Sequence, residues 1–226
     1  MKKWICILAG ALAIVIVAAM LFCNIKPTYE REEILPGFKD WMDKNSFVPR
    51  MSQMNMLTLL EKIRYRGKSI TEDEGWSLAY YDGDWGGGCQ TSSEKFGFSN
   101  SYREAEDGKT ATYSNSFFTQ VNLDNLLLPF DIEIGEELYS ILNRMDLPSV
   151  DKNTKEMTLL EDENTMLTFN NTSSSCFLLY TESSNIRLAD GRISNVKRSV
   201  KLYFQDKNNK LLLNSITVSV AELYPI

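Results

Sequence analysis

The hydrophobic positions of this chain form one unbroken apolar run, two helical stripes and a series of alternating segments. The run covers residues 4–23 and contains no charged residue. An apolar helix needs about 20 residues to span the hydrocarbon core of a bilayer, whereas the apolar part of a cleaved signal has about 7–15. The run therefore predicts a retained transmembrane anchor.

The charges on either side of the run predict its orientation. Lys2 and Lys3 precede it, and acidic residues follow it. Because positive charge is retained on the cytoplasmic side, we expect a cytoplasmic N-terminus and an extracytoplasmic remainder. Two alternatives stay open. Cleavage after Ala19 would give a secreted protein, and acylation of Cys23 would give a lipoprotein, although the bulky Phe22 stands where a small residue is expected.

Two later segments have the spacing of amphipathic helices. The first is residues 53–66, followed by Gly67 as a helix stop, and the second is residues 136–145, followed by Pro148. Their apolar stripes repeat at helical spacing and consist of Met56, Leu59, Leu60 and Ile63 in the first helix and of Leu138, Ile141, Leu142 and Met145 in the second.

Alternation of apolar and polar residues is typical of half-buried strands. Enrichment in β-forming residues and this alternation together predict six strands, at residues 76–81, 110–121, 165–169, 176–181, 199–205 and 214–220. A long glycine-rich loop separates the first two strands, and residues 206–210 read as a polar turn. The elements thus run helix then strands, twice.

This order predicts an α+β fold class: an N-terminal transmembrane helix, then helix-plus-antiparallel-sheet modules, two in tandem. The predicted domains are an anchor or uncleaved signal at residues 1–23, a linker and packing segment at 24–49, a first α+β module at 50–128 and a second at 129–226.

Two segments of the sequence resemble those of a known family. Residues 129–135 lead through a glycine into a short helix, and residues 201–206 are followed closely by Lys210 and Leu211. Over residues 129–220, with a second copy at 50–121, the chain resembles β-lactamase-inhibitor-like proteins and the SmpA/OmlA lipoproteins of envelope assembly. The resemblance implies a protein-binding module that presents a sheet face and loops. It transfers no catalytic residue.

Composition removes several chemistries. The chain has no histidine, which excludes histidine-dependent triads and histidine-based zinc sites. We expect no cofactor and no metal site. The net charge is −6, and Lys2 and Lys3 belong to the predicted anchor, so the remainder is more acidic still. Such a surface disfavours nucleic acid as a partner.

Two cysteines, Cys89 and Cys176, lie in the predicted exported part. In an oxidising compartment they would form one disulfide; in the alternative reading they are two unpaired buried thiols. Spacing alone leaves both open.

Four aromatic residues lie close together in the sequence and form a candidate binding surface for a glycan or peptide: Trp76, Tyr80, Tyr81 and Trp85. Because side chains alternate along a strand, we expect about half of them to belong to the core.

These observations predict a membrane-anchored module of the bacterial envelope that binds another protein or an envelope component and does not catalyse. One alternative is an envelope hydrolase that uses carboxylates alone, since acidic residues cluster at 72–74, 104–107 and 161–163. Another is a secreted inhibitor of an enzyme, which requires cleavage after Ala19.

Overall fold

The computed structural model describes Thr28 and residues 31–44, 48–50, 53–84, 86–151, 153–172 and 175–226. The predicted span at residues 4–23 lies outside this set. Among the residues that are described, no helix is both long and apolar enough to cross a membrane. This finding goes against the predicted single-pass anchor and against the membrane-bound, extracytoplasmic location that depended on it. Neither prediction is carried further.

The described part of the chain contains three α-helices and eleven strands. The helices are α1 (Arg31–Lys44), α2 (Gln53–Lys62) and α3 (Leu138–Arg144). The strands of the first half are β1 (Arg64–Tyr65), β2 (Lys68–Ser69), β3 (Ser77–Gly83), β4 (Gly86–Ser92), β5 (Phe96–Glu104) and β6 (Thr110–Thr119). Those of the second half are β7 (Glu156–Glu161), β8 (Thr165–Asn171), β9 (Cys176–Arg187), β10 (Ile193–Lys207) and β11 (Lys210–Pro225).

Nine of these strands form one antiparallel sheet. Their order is β3-β4-β5-β6-β11-β10-β9-β8-β7, so two meanders meet where β6 pairs with β11. The predicted fold class is therefore wrong. The described part of the chain is mostly β, and nine of its strands build one sheet rather than two separate α+β modules. The sequence pattern could not show this, because the joining pair is formed by strands far apart in the chain.

Alternation along the strands sends the apolar side chains to one face of the sheet, which we call the covered face. On β10, for example, Val196, Val200 and Leu202 are buried while the residues between them are not. Helix α1 packs on this face through Phe38, whose ring stacks on that of Tyr180 at 4.6 Å between centroids. The described residues form one hydrophobic core, between the helices and this face.

The predicted helix at residues 53–66 ends four residues early, at Lys62. The chain then forms the short β1–β2 hairpin, in which Arg66 and Gly67 both have positive φ. A two-residue hairpin turn of this kind requires left-handed conformations at both positions, which glycine adopts freely. Gly67 thus closes a turn between strands and does not cap a helix.

The six predicted strands are all present, most of them longer than expected. The other five strands, β1, β2, β4, β5 and β7, were not predicted. The glycine-rich segment assigned to a loop contributes β4, and residues 129–131, ahead of α3, form a 3-10 turn.

Candidate binding surface

The second face of the sheet carries mostly half-buried or exposed side chains, and we call it the open face. The register of the five central strands, β5, β6, β11, β10 and β9, defines which residues share it. The side chains that these strands place on it lie outside the hydrophobic core. The open face is therefore a polar surface on the side of the sheet away from the core.

A row of hydroxyl side chains crosses the middle of the open face. One residue from each central strand takes part, each in register with the next: Ser99, Ser116, Ser219, Ser199 and Thr181. Within the row, Ser219 Oγ donates to Ser116 Oγ at 3.2 Å. Small side chains keep this surface low, so a docking partner can approach the sheet closely.

A second row, one step along the strands, repeats the pattern. It consists of Ser101, Ser114, Ala221, Lys197 and Ser183. Ser101 and Ser114 are hydrogen-bonded through their Oγ atoms at 2.6 Å. Only Lys197 extends far from the sheet, so positive charge projects from an otherwise low, hydroxyl-lined surface.

Aromatic rings and a lysine gather at one end of the open face. Lys201 Nζ lies 3.8 Å from the centroid of the Phe177 ring and 4.7 Å from that of Tyr203. These are cation–π distances. Phe118 lies in the same cross-strand row as Lys201, with Thr217 between them. The end of the face thus combines apolar area with one positive charge.

The acidic residues of the central strands lie on one face only, whereas basic residues lie on both, with Arg198 on the covered face beside Glu182. The acidic residues all alternate onto the covered face: Glu104, Glu182, Asp206 and Glu222. Cations on the open face include Arg103, Arg187, Lys197 and Lys201. The open face of these five strands is therefore basic although the whole chain has a net charge of −6.

A cavity of about 700 Å³ adjoins the open face beside Phe118. A Cβ on Gly97 would lie 2.8 Å from the Phe118 ring, so the glycine allows that ring to lie over β5. The walls include Asp73, whose carboxylate is 3.0 Å from Lys95 Nζ, and Glu94. An acidic rim thus borders the basic centre.

The structure separates the aromatic residues predicted to form a binding surface. Trp76 packs against the core, 5.9 Å from the Phe96 ring. Tyr80 and Tyr81 are 57% and 49% exposed, and as neighbours on β3 they point to opposite faces. Trp85 lies outside the described residues. Tyr80 and Tyr81 therefore mark the rim of the sheet rather than one joint platform.

Cys89 and Cys176 are both free and buried. They lie on β4 and β9, which have four other strands between them, a separation of roughly 24 Å at about 4.8 Å per strand. Burial raises the pKa of the Cys176 thiol to about 11 and also raises that of Cys89. The structure does not bring the two thiols together.

The acidic clusters predicted as an alternative catalytic centre lie at three separate turns, before β3, after β5 and after β7. Asp73 of the first is paired with Lys95. No group of three or more metal-ligating side chains occurs within the described ranges. Asp73 and Glu74 of the first cluster line the cavity beside Phe118, and neither of the other two clusters contributes to its walls.

Comparisons of the chain with protein-family models, with curated proteins and with solved structures found no match. They do not test the resemblance to β-lactamase-inhibitor-like and SmpA/OmlA proteins, which stays a prediction.

Sequence reasoning missed the open face as a site. Its signal is present in the sequence as serines at every second position, Ser99 and Ser101 on one strand and Ser114 and Ser116 on the next. Their alignment into rows becomes visible only once the register between strands is known.

Proposed function

We propose that this protein binds another protein through the open face and does not catalyse a reaction. The observation that supports this most directly is the one-sided placement of acidic residues: the central strands place their acids on the covered face and present hydroxyls and cations on the other. A fold that needed the open face only for solubility would have no reason to exclude acidic side chains from it.

The open face has the area of a protein interface. Five strands at a spacing of about 4.8 Å, each with about ten residues of about 3.3 Å, make a surface on the order of 800 Å². A standard specific interface buries about 800 Å² per partner. The five central strands therefore suffice for one protein partner without help from the loops.

The chemistry of the face indicates the chemistry of the partner. Lys197 and Lys201 favour a partner surface that carries carboxylates. Phe177 and Tyr203 provide the aromatic area around which binding energy concentrates in interfaces. We expect an acidic protein surface with an apolar group that packs on these rings, and an association rate that falls as salt rises.

The family resemblance implies the same kind of function, a module that presents a sheet face to another protein. Inhibition of a partner enzyme is one form that such binding takes, since a protein docked over an active site excludes substrate.

The experiment is affinity capture with the purified chain and two matched variants, Ser116→Arg and Ser140→Arg. Ser116 lies at the centre of the hydroxyl row, whereas Ser140 is exposed on α3, on the other side of the sheet. Both variants add the same side chain. A partner that is retained by the native protein and by Ser140→Arg, but lost from Ser116→Arg, supports the proposal.

Retention of every captured protein by Ser116→Arg would overturn it. A second pair of variants tests the charge argument. Lys197→Glu reverses a charge on the open face, and Lys62→Glu reverses an exposed charge on α2. Only the first should weaken binding, and the loss should shrink at high salt.

A further inference from the structure

The two edges of the nine-stranded sheet are protected to different degrees. The edge strand β7 contains a bulge between Thr158 and Leu160 and carries a glutamate at each end. Bulges and edge charges are devices that prevent pairing with another chain. Strand β3, at the other edge, has no bulge, and its ends carry no charged residue comparable to the two glutamates of β7. Its register with β4 is continuous over seven pairs, from Ser77 to Gly83.

The outer side of β3 has no strand neighbour within the described part of the chain. In an antiparallel ladder, alternate residues direct their N–H and C=O groups to opposite sides. Gly83 pairs with Gly86 across the hairpin, so the outward positions are Leu78, Tyr80 and Asp82. The strand contains no proline and no lysine, and its one charged side chain is Asp82.

We propose that β3 pairs antiparallel with β3 of a second copy of this chain, about a two-fold axis at Tyr80. This register uses the full length of the strand. It places Ala79 opposite the partner copy's Tyr81, and Asp82 opposite its Leu78, so no two like charges face each other. A closed two-fold contact of this type is isologous and ends with two chains.

The side chains of β3 favour a second copy over an unrelated strand. Tyr80 lies on the axis, so two exposed rings meet as a cross-strand aromatic pair. Tyr81 covers the small Ala79 of the other copy on the open face. Each exposed tyrosine therefore gains a contact that the monomer does not offer.

Pairing at β3 joins two nine-stranded sheets into one. The axis is perpendicular to the sheet, so both open faces lie on the same side, although this inference does not depend on what those faces bind. The contact is about 23 Å long, from seven residues at about 3.3 Å each. It is smaller than a standard interface, so the dimer should form in a concentration-dependent manner.

The test is disulfide trapping in a background with Cys6→Ser, Cys23→Ser and Cys89→Ser, because Cys89 lies opposite Tyr80 on β4 and would capture a new thiol there within the same chain. Cys176 is buried and stays in place. Directly opposed residues in an antiparallel pair have Cα atoms about 5.5 Å apart, within the range that a disulfide spans. Tyr80→Cys lies opposite itself at the axis and should give a covalent dimer on mild oxidation. Tyr81→Cys replaces a neighbouring exposed tyrosine, lies opposite Ala79 and should give little.

The double variant Ala79→Cys/Tyr81→Cys should restore the dimer, because each new thiol then lies opposite its counterpart. Sedimentation of the native protein over a hundredfold range of concentration should show a rising dimer fraction. A monomer at every concentration would overturn the proposal, as would equal trapping by Tyr80→Cys and Tyr81→Cys. Trapping of Tyr80→Cys to a different protein, without homodimer, would assign the edge to another chain and also overturn it.

Discussion

Glu222 is a buried carboxylate that holds a distant segment of the chain against the sheet. It lies on β11, is 5% exposed and accepts hydrogen bonds from Arg50 Nε at 2.7 Å and Arg50 Nη2 at 2.6 Å. Ser194 Oγ also donates to it. The Arg50 guanidinium in turn lies 3.8 Å over the Tyr224 ring. One residue pair thus fixes the segment before α2 to the covered face.

Removing Arg50 leaves this carboxylate buried without its cation. Loss of one partner of a buried pair costs about 3–5 kcal/mol, and because the Arg50 side chain is 41% exposed we expect about 2–3 kcal/mol for Arg50→Ala. Urea denaturation measures the loss. Lys62→Ala, an exposed lysine on α2, is the control and should change little. The double variant Arg50→Ala/Glu222→Gln should recover part of the loss, since no buried charge remains.

The pH dependence separates the ion pair from simple packing. The hydrogen bonds from Arg50, and then that from Ser194, hold the pKa of Glu222 below its usual range. As pH falls below about 4.3, the Glu222 carboxylate becomes protonated in the unfolded chain while it stays ionised in the folded chain. The stabilisation by Glu222 is therefore complete above that pH and is lost as pH falls through its folded pKa. Glu222→Gln should reduce the loss of folding free energy at acidic pH. An unchanged loss would contradict the role of the Arg50–Glu222 pair.

Helix α1 is attached to the sheet by two side chains that are almost fully buried. Phe38 is 1% exposed and Met42 is 0% exposed, and the Phe38 ring also meets Phe130 edge-on at 4.8 Å. Phe38→Ala removes a ring from this contact and should lower the free energy of unfolding by about 3–5 kcal/mol. Lys39→Ala, the next residue, removes an exposed ion pair with Asp43 and should cost less than about 1 kcal/mol. Equal losses in urea denaturation would show that α1 does not contribute to the core as described.

The elements that sequence predicts well are those in which burial is one-sided. Alternation on β10 and β11 identified both strands, and the polar turn between them is observed, with Asn208 and Asn209 at positive φ. Strands β4 and β5 were not predicted because residues 86–88 are glycines and both faces of β5 carry serine or asparagine. Neither strand shows the contrast between faces on which the prediction depends, and pairing with neighbours determines their conformation instead.

The site was less predictable than the elements. Exposure of Tyr80 and Tyr81 agrees with a surface role, but alternation sends them to opposite faces. The open face depends on the pairing of β6 with β11, whose residues are about a hundred positions apart in the chain. No local pattern encodes that contact, so no local reading could place Ser116 beside Ser219.

At the scale of the whole molecule, β6 and β11 join the two halves of the chain. They pair without interruption from Thr110 opposite Pro225 to Thr119 opposite Ile216. Buried side chains on both strands, including Phe117 and Val218, belong to the same core. A boundary between modules at residues 128 and 129 would have to break this ladder, so we expect the halves to unfold together.

The two buried thiols report on the two halves separately. Cys89 lies on β4 and Cys176 on β9, and their burial and raised pKa values make both unreactive in the folded state. In a background with Cys6→Ser and Cys23→Ser, each of the two thiols is studied alone by replacing the other with serine. Its labelling by a brief pulse of maleimide is then measured as a function of urea concentration. The pairing of β6 with β11 couples the two meanders. The urea midpoint of labelling of each thiol should therefore coincide with the midpoint of global unfolding of the same variant. Separate midpoints would mean that residues 50–128 and 129–226 are independent units after all, and that the continuous sheet is a contact between two domains rather than one cooperative structure.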